Sequence, residues 1–330
     1  MRYVKTHVSL GGRPTGEPFS APVYTFEGSG GGRSVYLQGN LHGPEVFGTA
    51  LLTALVQEFE KWDQVPGTVT IVPCANPLGV QETAYNTHLG RWNSKTGLNW
   101  NGIFTAPTRW SSREEERAYY AQRLISARSI EERLEAELRS LSSQADVCID
   151  IHTNCRESIE HVMTLDTMST HFESLGAPVH LVQTDEKLGN SFEESHYHFT
   201  PEVLPEDRPW ACTWEVSSDG LMFDIDVRNR LVKLLNWFAY VWQFDSHISA
   251  FKPEVYWCGE HLYATDSGYL AWTKRAGEYV CAGDVYAKLY HPNSVQVEEL
   301  KAEHGLTLIA LGGVVAVTKG DRIAWIGYNP

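Results

Sequence analysis

The stretch GNLHGPEVFG, residues 39–48, sets His42 and Glu45 three residues apart, where a run of strand formers gives way to an apolar helical pattern. Such a pair either caps a turn or supplies two arms of a metal site. A glutamate near a helix start is favoured by the helix dipole alone, so the pair by itself argues for the cap. Further along, ADVCIDIHTN, 145–154, ends in Asp150, His152 and Asn154, and PWACTWEVS, 209–217, carries Glu215 close to its end. His42, Glu45 and His152 together make two imidazoles and one carboxylate. That is the donor set of a catalytic zinc site, which leaves one position open. Alternation along a strand puts Asp150 and His152 on one face. Asp150 is therefore either the carboxylate that accepts the second ring N–H of a ligating histidine, His42 or His152, or simply a strand-end charge.

These residues need a scaffold that gathers strand ends. Five short apolar runs read as buried strands: SVYLQGN (34–40), GTVTIVPCANP (67–77), ADVCIDIHTN, APVHLVQTD (177–185) and PWACTWEVS. Helical patterns fall between them. PEVFGTALLTALVQEFEKW (44–62) is expected to start at Pro44, holding Glu45 in its first turn. Residues 112–141 read as one long charged amphipathic helix, and 222–244 as another. Strands alternating with helices predict an α/β fold with a mixed, largely parallel sheet flanked by helices, and ligands bind such sheets at carboxyl strand ends. EGSGGGR (27–33) reads as a flexible hairpin loop between two strands; no Lys-Ser/Thr follows it, so it is not a phosphate cradle. After about residue 250 short Val/Ala/Tyr runs separated by glycine turns predict a small barrel-like all-β unit, with a helix only at SVQVEELKAEHG (294–305). The expected division is a catalytic domain, 1–250, and a C-terminal β domain, 251–330.

Bulk composition narrows the partners. Over 330 residues, 41 acidic against 27 basic residues give a formal charge of −14. A nucleic-acid surface needs clustered Lys and Arg, so nucleic acid is excluded as an expected partner. No run reaches the length of a membrane helix, and the N-terminus shows no signal-like apolar core. The six cysteines are scattered and form no Cys-x-x-Cys pair, which suits inert thiols in a reducing compartment. A cytoplasmic protein acting on a small molecule is expected, and homo-oligomerisation is left open.

NLHGPE, NPLG, DIHTN and TWEVSSDG, in that order, resemble the succinylglutamate desuccinylase/aspartoacylase family, a branch of the zinc carboxypeptidase superfamily. The resemblance implies one zinc ion per chain on His42, Glu45 and His152, with Glu215 as general base. It implies that Arg91, in GRWNSKTGLNWNG, polarises the scissile carbonyl and that Asn99 helps hold a substrate carboxylate. It also implies the activity: hydrolysis of an amide bond in a small N-acyl amino acid or amine. A carboxypeptidase acting on peptides and a non-catalytic metal- or ligand-binding descendant are the alternatives.

Two features depart from the family pattern. Trp100 stands after Asn99 where the family has an arginine, so a carboxylate-reading fork is missing. Arg109, Arg113 or Arg156 would have to replace it, and Trp100 itself either stacks on substrate or belongs to the core. Trp92, Trp110 and Tyr85 lie in the same irregular stretch, as pocket lining or as packing. The loop EESHYHF (193–199), with Glu193, Glu194, His196 and His198, is expected to be a polar substrate-facing or exposed patch rather than a second metal site.

Overall fold

The computed structural model describes residues 2–12, 15–154, 157–186, 188–218, 222–243, 252–257 and 260–328. Cys155, Arg156, Cys258 and the end of TWEVSSDG (219–220) lie outside the described residues, as does most of the expected boundary near 250.

The apolar runs become the middle of one nine-stranded sheet. Its strands are β1 (Val4–Gly12), β2 (Pro18–Phe26), β3 (Val35–Gly39), β4 (Val69–Val72), β5 (Val147–Asn154), β6 (His161–Leu165), β7 (Val179–Gln183), β8 (Trp210–Ser218) and β9 (Glu254–Trp257). The spatial order is β1-β2-β4-β3-β5-β8-β6-β7-β9. β4, β3, β5 and β8 run parallel, as do β6, β7 and β9, while the β1–β2, β2–β4 and β8–β6 pairings are antiparallel. The sheet is thus mixed and largely parallel, as expected. β3 and β5 are buried at every residue, which is why they read as continuous apolar runs rather than alternating ones.

Helices cover both faces. α1 (Phe47–Phe59) packs through Phe59 on Phe238 of α5 (Asp224–Val241), ring centroids 5.1 Å apart, on one face. α2 (Pro77–Gln81) is a single turn capped by the side chain of Asn76. On the other face lie α3 (Arg113–Ser126) and α4 (Ile130–Ser142). The expected single helix over 112–141 is therefore two. Ser129 starts the second with a capping box to Glu132, which satisfies backbone donors and fixes a new helix axis.

Three further expectations are corrected. α1 begins at Phe47, not Pro44: Glu45 N–H donates to His42 O (3.1 Å) and Val46 N–H to Pro44 O (3.0 Å), closing a tight turn ahead of the helix. Residues 27–33 do not join a hairpin, because β4 lies between β2 and β3. The backbone of this loop is tied down instead, with Ser29 N–H on Val65 O (2.9 Å) and Gly30 N–H on Pro66 O (3.0 Å). SVQVEELKAEHG holds a strand, Gln296–Lys301, paired antiparallel with Val285–His291, and ladder pairing there overrides helix propensity.

Beyond β9 the chain forms two further sheets. One orders Gln296–Lys301, Val285–His291, Gly268–Trp272 and Ala316–Val317; the other orders His261–Tyr263, Arg322–Gly327, Leu306–Leu311 and Tyr279–Val280. Both keep open edges, so the strands pack as layers around a separate apolar cluster and no closed barrel forms. Strand exchange ties this unit to the main sheet. β9 pairs with β7, and the two-residue strand Glu157–Ser158 pairs with Leu306–Leu311. Among the described residues no helix is long and apolar enough to cross a membrane.

Candidate metal centre

One face of the central strands changes character row by row. Tyr36, Cys148 and Ala211 lie side by side on β3, β5 and β8; next come Gln38, Asp150 and Thr213; the last row holds His152 and Glu215. The face thus becomes a polar shelf at the carboxyl ends of β5 and β8.

Asn40, directly after β3, delivers the first ligands. Its φ of 60° turns the chain back, a conformation asparagine tolerates better than most residues. Its Nδ2 donates to His42 O (2.7 Å) and Gly43 O (3.1 Å). A Cβ on Gly43 would sit 2.1 Å from Gly79 O, and one on Gly90 only 1.8 Å from the same oxygen. The three glycines let α2 and the segment after it close on the His42–Glu45 turn, with Gly43 N–H donating to Gly90 O (2.8 Å). Arg91 follows Gly90, so its Nη1 reaches Glu45 Oε1 at 2.8 Å.

His42, Glu45 and His152 are buried together, with ligand atoms within 4.8 Å of one another. His42 Nδ1 lies 2.8 Å from Glu45 Oε1, and His152 Nδ1 lies 2.7 Å from Glu45 Oε2. The outer ring nitrogens are engaged elsewhere. His152 Nε2–H donates to Asp150 Oδ2 (2.7 Å) and His42 Nε2–H to Asn99 Oδ1 (2.8 Å). Asn99 Oδ1 also accepts from Asn101 N–H (2.9 Å), which fixes which end of that amide faces His42. With Nε2 so engaged, each ring turns its Nδ1 toward a carboxylate oxygen, an arrangement that calls for a proton or a metal cation between the two. Thr153 N–H adds a donor to Glu45 at 3.2 Å.

The electrostatics agree. Burial alone would raise Glu45, but the two histidines outweigh it and hold the carboxyl well below its ordinary range. Burial would lower His152, and Asp150 with Glu45 instead holds it well above. His42 is lowered, chiefly by burial, against the pull of Glu45. A site that stabilises a proton this strongly also stabilises a cation, and the donor set of two imidazoles and a carboxylate fits zinc. Among the described residues no second group of this kind exists.

The remaining expected residues are placed as follows. Glu215 stands in register with His152 on the neighbouring strand and is 7% exposed. Trp100 is 2% exposed and packs in the main core. Arg109 is held by Phe199 O (3.1 Å) and Asp185, and Arg113 by Ser143 O (2.9 Å). EESHYHF is not an exposed patch. Glu193 and His196 are buried, His196 hydrogen-bonds Arg139 and Ser142, and Arg139 pairs with Glu116. No helix-like spacing announced this, because the partners come from α3 and α4, far away in sequence. Burial raises Cys74 to about 11 and Cys148 to about 12, so both thiols stay protonated. A cavity of about 640 Å³ lies elsewhere, beside Arg33, His171 and Trp210, at the amino end of β8 rather than at its carboxyl end.

Residues that sequence reasoning passed over are Asn40, Gly79 and Gly90. Only Asn40 carried a signal, an asparagine directly after a strand-ending glycine.

A mixed α/β sheet with a buried His-Glu-His cluster at its strand ends defines the class. The profile of the succinylglutamate desuccinylase/aspartoacylase catalytic domain matches residues 31–196. The chain belongs to that family of hydrolases. No curated protein sequence matches it. Its fold is similar to that of a family protein from Shewanella amazonensis SB2B, with TM-score 0.87 and 23% identity over 98% of each chain. It is also similar to one from Shewanella frigidimarina NCIMB 400, with TM-score 0.85 and 22% identity over 99% of this chain and 98% of the other. The product-bound ectoine utilization protein EutE (DoeB) of Ruegeria pomeroyi matches with TM-score 0.75 and 15% identity over 100% and 96%.

Proposed function

We propose that this chain is a zinc-dependent deacylase that hydrolyses the amide bond of a small N-acyl amino acid or N-acyl amine. The observation that carries the reading is the pair of buried imidazoles whose Nδ1 atoms converge on Glu45 while Asn99 and Asp150 occupy their outer nitrogens.

His42, Glu45 and His152 would hold one zinc ion, which when bound polarises a carbonyl and acidifies water. Asp150 and Asn99 keep the two rings turned with Nδ1 inward. Glu215, level with His152, accepts the proton of the attacking water and returns it to the leaving amine nitrogen. Arg91 uses one donor on Glu45 and brings its charge to the place where the carbonyl oxygen becomes negative.

The test is direct. Purified protein should carry about one zinc per chain, and His152→Ala should lose it. Glu215→Gln should keep the metal and lose about 10²–10⁴-fold in kcat on N-acyl substrates, read as free amine. Turnover that survives Glu215→Gln would overturn the mechanism, and release of amino acids from peptides alone would make the chain a peptidase.

A further inference from the structure

The segment that brings Arg91 and Asn99 to the ligands turns its own apolar side chains outward. Tyr85 is fully exposed, and Leu89, Trp92 and Leu98 are 50%, 50% and 51% exposed, whereas Trp100 and Trp110 are each 2% exposed. Tyr85 and Asn86 both adopt positive φ, 50° and 59°, at the tip of a hairpin between Thr83–Ala84 and Thr87–His88. A bulky residue held in that region is unusual, and here the turn points an aromatic ring into solvent.

The position of these side chains matters more than their number. Trp92 is paired with Asn99 in an isolated bridge, and the Arg91 guanidinium lies 5.9 Å from its ring centroid. Leu98 directly precedes Asn99. Two half-exposed apolar residues therefore sit one position away from Arg91, which touches Glu45, and from Asn99, which touches His42. Nearby cations are largely committed: Arg91 to Glu45, Arg109 to Phe199 O and Asp185, Arg113 to backbone carbonyls and Glu116. Lys95, exposed in the same loop, is the competing feature, since it would favour an acidic group.

We propose that this rim, with Trp92 at its centre and Leu89 and Leu98 beside it, is the specificity-determining surface, and that it selects substrates with a large apolar group next to the scissile amide. The inference rests on the deacylase reading and names its substrate class. Half-exposed indole and leucine side chains next to a polar cluster gain by removal from water when an apolar group covers them. Among the described residues, the nearby arginines Arg91, Arg109 and Arg113 each already hold a carboxylate or a backbone carbonyl.

The experiment separates the two claims by measuring binding apart from turnover. Zinc-loaded Glu215→Gln protein is titrated calorimetrically with matched pairs that differ on one side of the amide: N-acetyl-L-phenylalanine against N-acetyl-L-aspartate, and N-octanoylglycine against N-succinylglycine. The apolar member of at least one pair should bind ~10-fold or more tightly. Trp92→Ala should abolish that preference with the acidic member unchanged, and Trp92→Phe should restore most of it. Equal or tighter binding of the acidic members, a preference that survives both Trp92→Ala and Leu98→Ser, or no binding of any member would overturn the inference. So would a Trp92→Ala protein that changes only its oligomeric state. Zinc-bound protein that turns over only acidic substrates keeps the proposed function and loses this inference. Protein that binds the apolar members but never cleaves them does the reverse.

Discussion

Asn99 shows how much a single hydrogen bond decides. The family resemblance gives it a substrate carboxylate, while the structure puts its Oδ1 on His42 Nε2. One acceptor there selects the tautomer that leaves Nδ1 free to face Glu45. Removing such a partner typically weakens metal binding by 10- to 100-fold. Asn99→Ala should therefore lower zinc affinity by about that factor, measured by competition with a chelator, while Asn99→Asp retains most of it. An unchanged affinity would return Asn99 to substrate binding. The ligands themselves were legible because metal chemistry restricts residue types and strand ends restrict places. His42, Glu45 and His152 needed only those two rules. The partner of His42 was not legible, since it lies 57 residues away on a loop without periodicity.

Among elements, the segment between α2 and α3 has the least sequence signal and sits closest to the ligands. Strands β3, β5 and β8 could be read from their Val and Ile content. The break between α3 and α4 was also readable, in Ser129 and Glu132, but a continuous charge pattern hid it. Nothing in a single chain announces that Gly43, Gly79 and Gly90 meet, because close approach belongs to backbone pairs rather than to side-chain patterns. Their contact is testable. A methyl group on Gly90 would lie 1.8 Å from Gly79 O, so Gly90→Ala must push the segment away and draw Arg91 off Glu45. The expected result is bound zinc near the wild-type level, a kcat lower by at least ~10-fold, and a lower melting temperature. Wild-type kcat in Gly90→Ala would show that the contact does not position Arg91.

For the whole molecule, buried acids and histidines pull stability in opposite directions with pH. Burial, and then Glu194, push Glu193 up to about 7, and burial does the same to Glu135. A carboxyl with a raised folded value keeps its proton longer in the fold than in the unfolded chain. Its contribution is intact near pH 4.5 and is lost as pH rises toward 7. Burial lowers His161 and His180 to about 4, so their unfolded forms bind more protons and stability grows from pH 4 to about 6.5. The two trends overlap and flatten the net curve, so a variant is needed to separate them. Relative to wild type, Glu193→Gln should gain up to about 1.4 kcal/mol per pH unit between pH 4.5 and 7, read from urea midpoints. A difference that does not vary with pH would mean that Glu193 is already ionised at pH 4.5.

The exchange of strands across the two units also carries a consequence for the order in which the chain is made. β7 is complete by residue 183, but the strand that covers its outer edge, Glu254–Trp257, follows some seventy residues later. Likewise Glu157–Ser158 waits for Leu306–Leu311. Until Glu254–Trp257 has left the ribosome, the edge of β7 in the main sheet stays unpaired. Such edges invite pairing with other chains, so the nascent chain passes through a period of exposure that ends only when its C-terminal strands emerge.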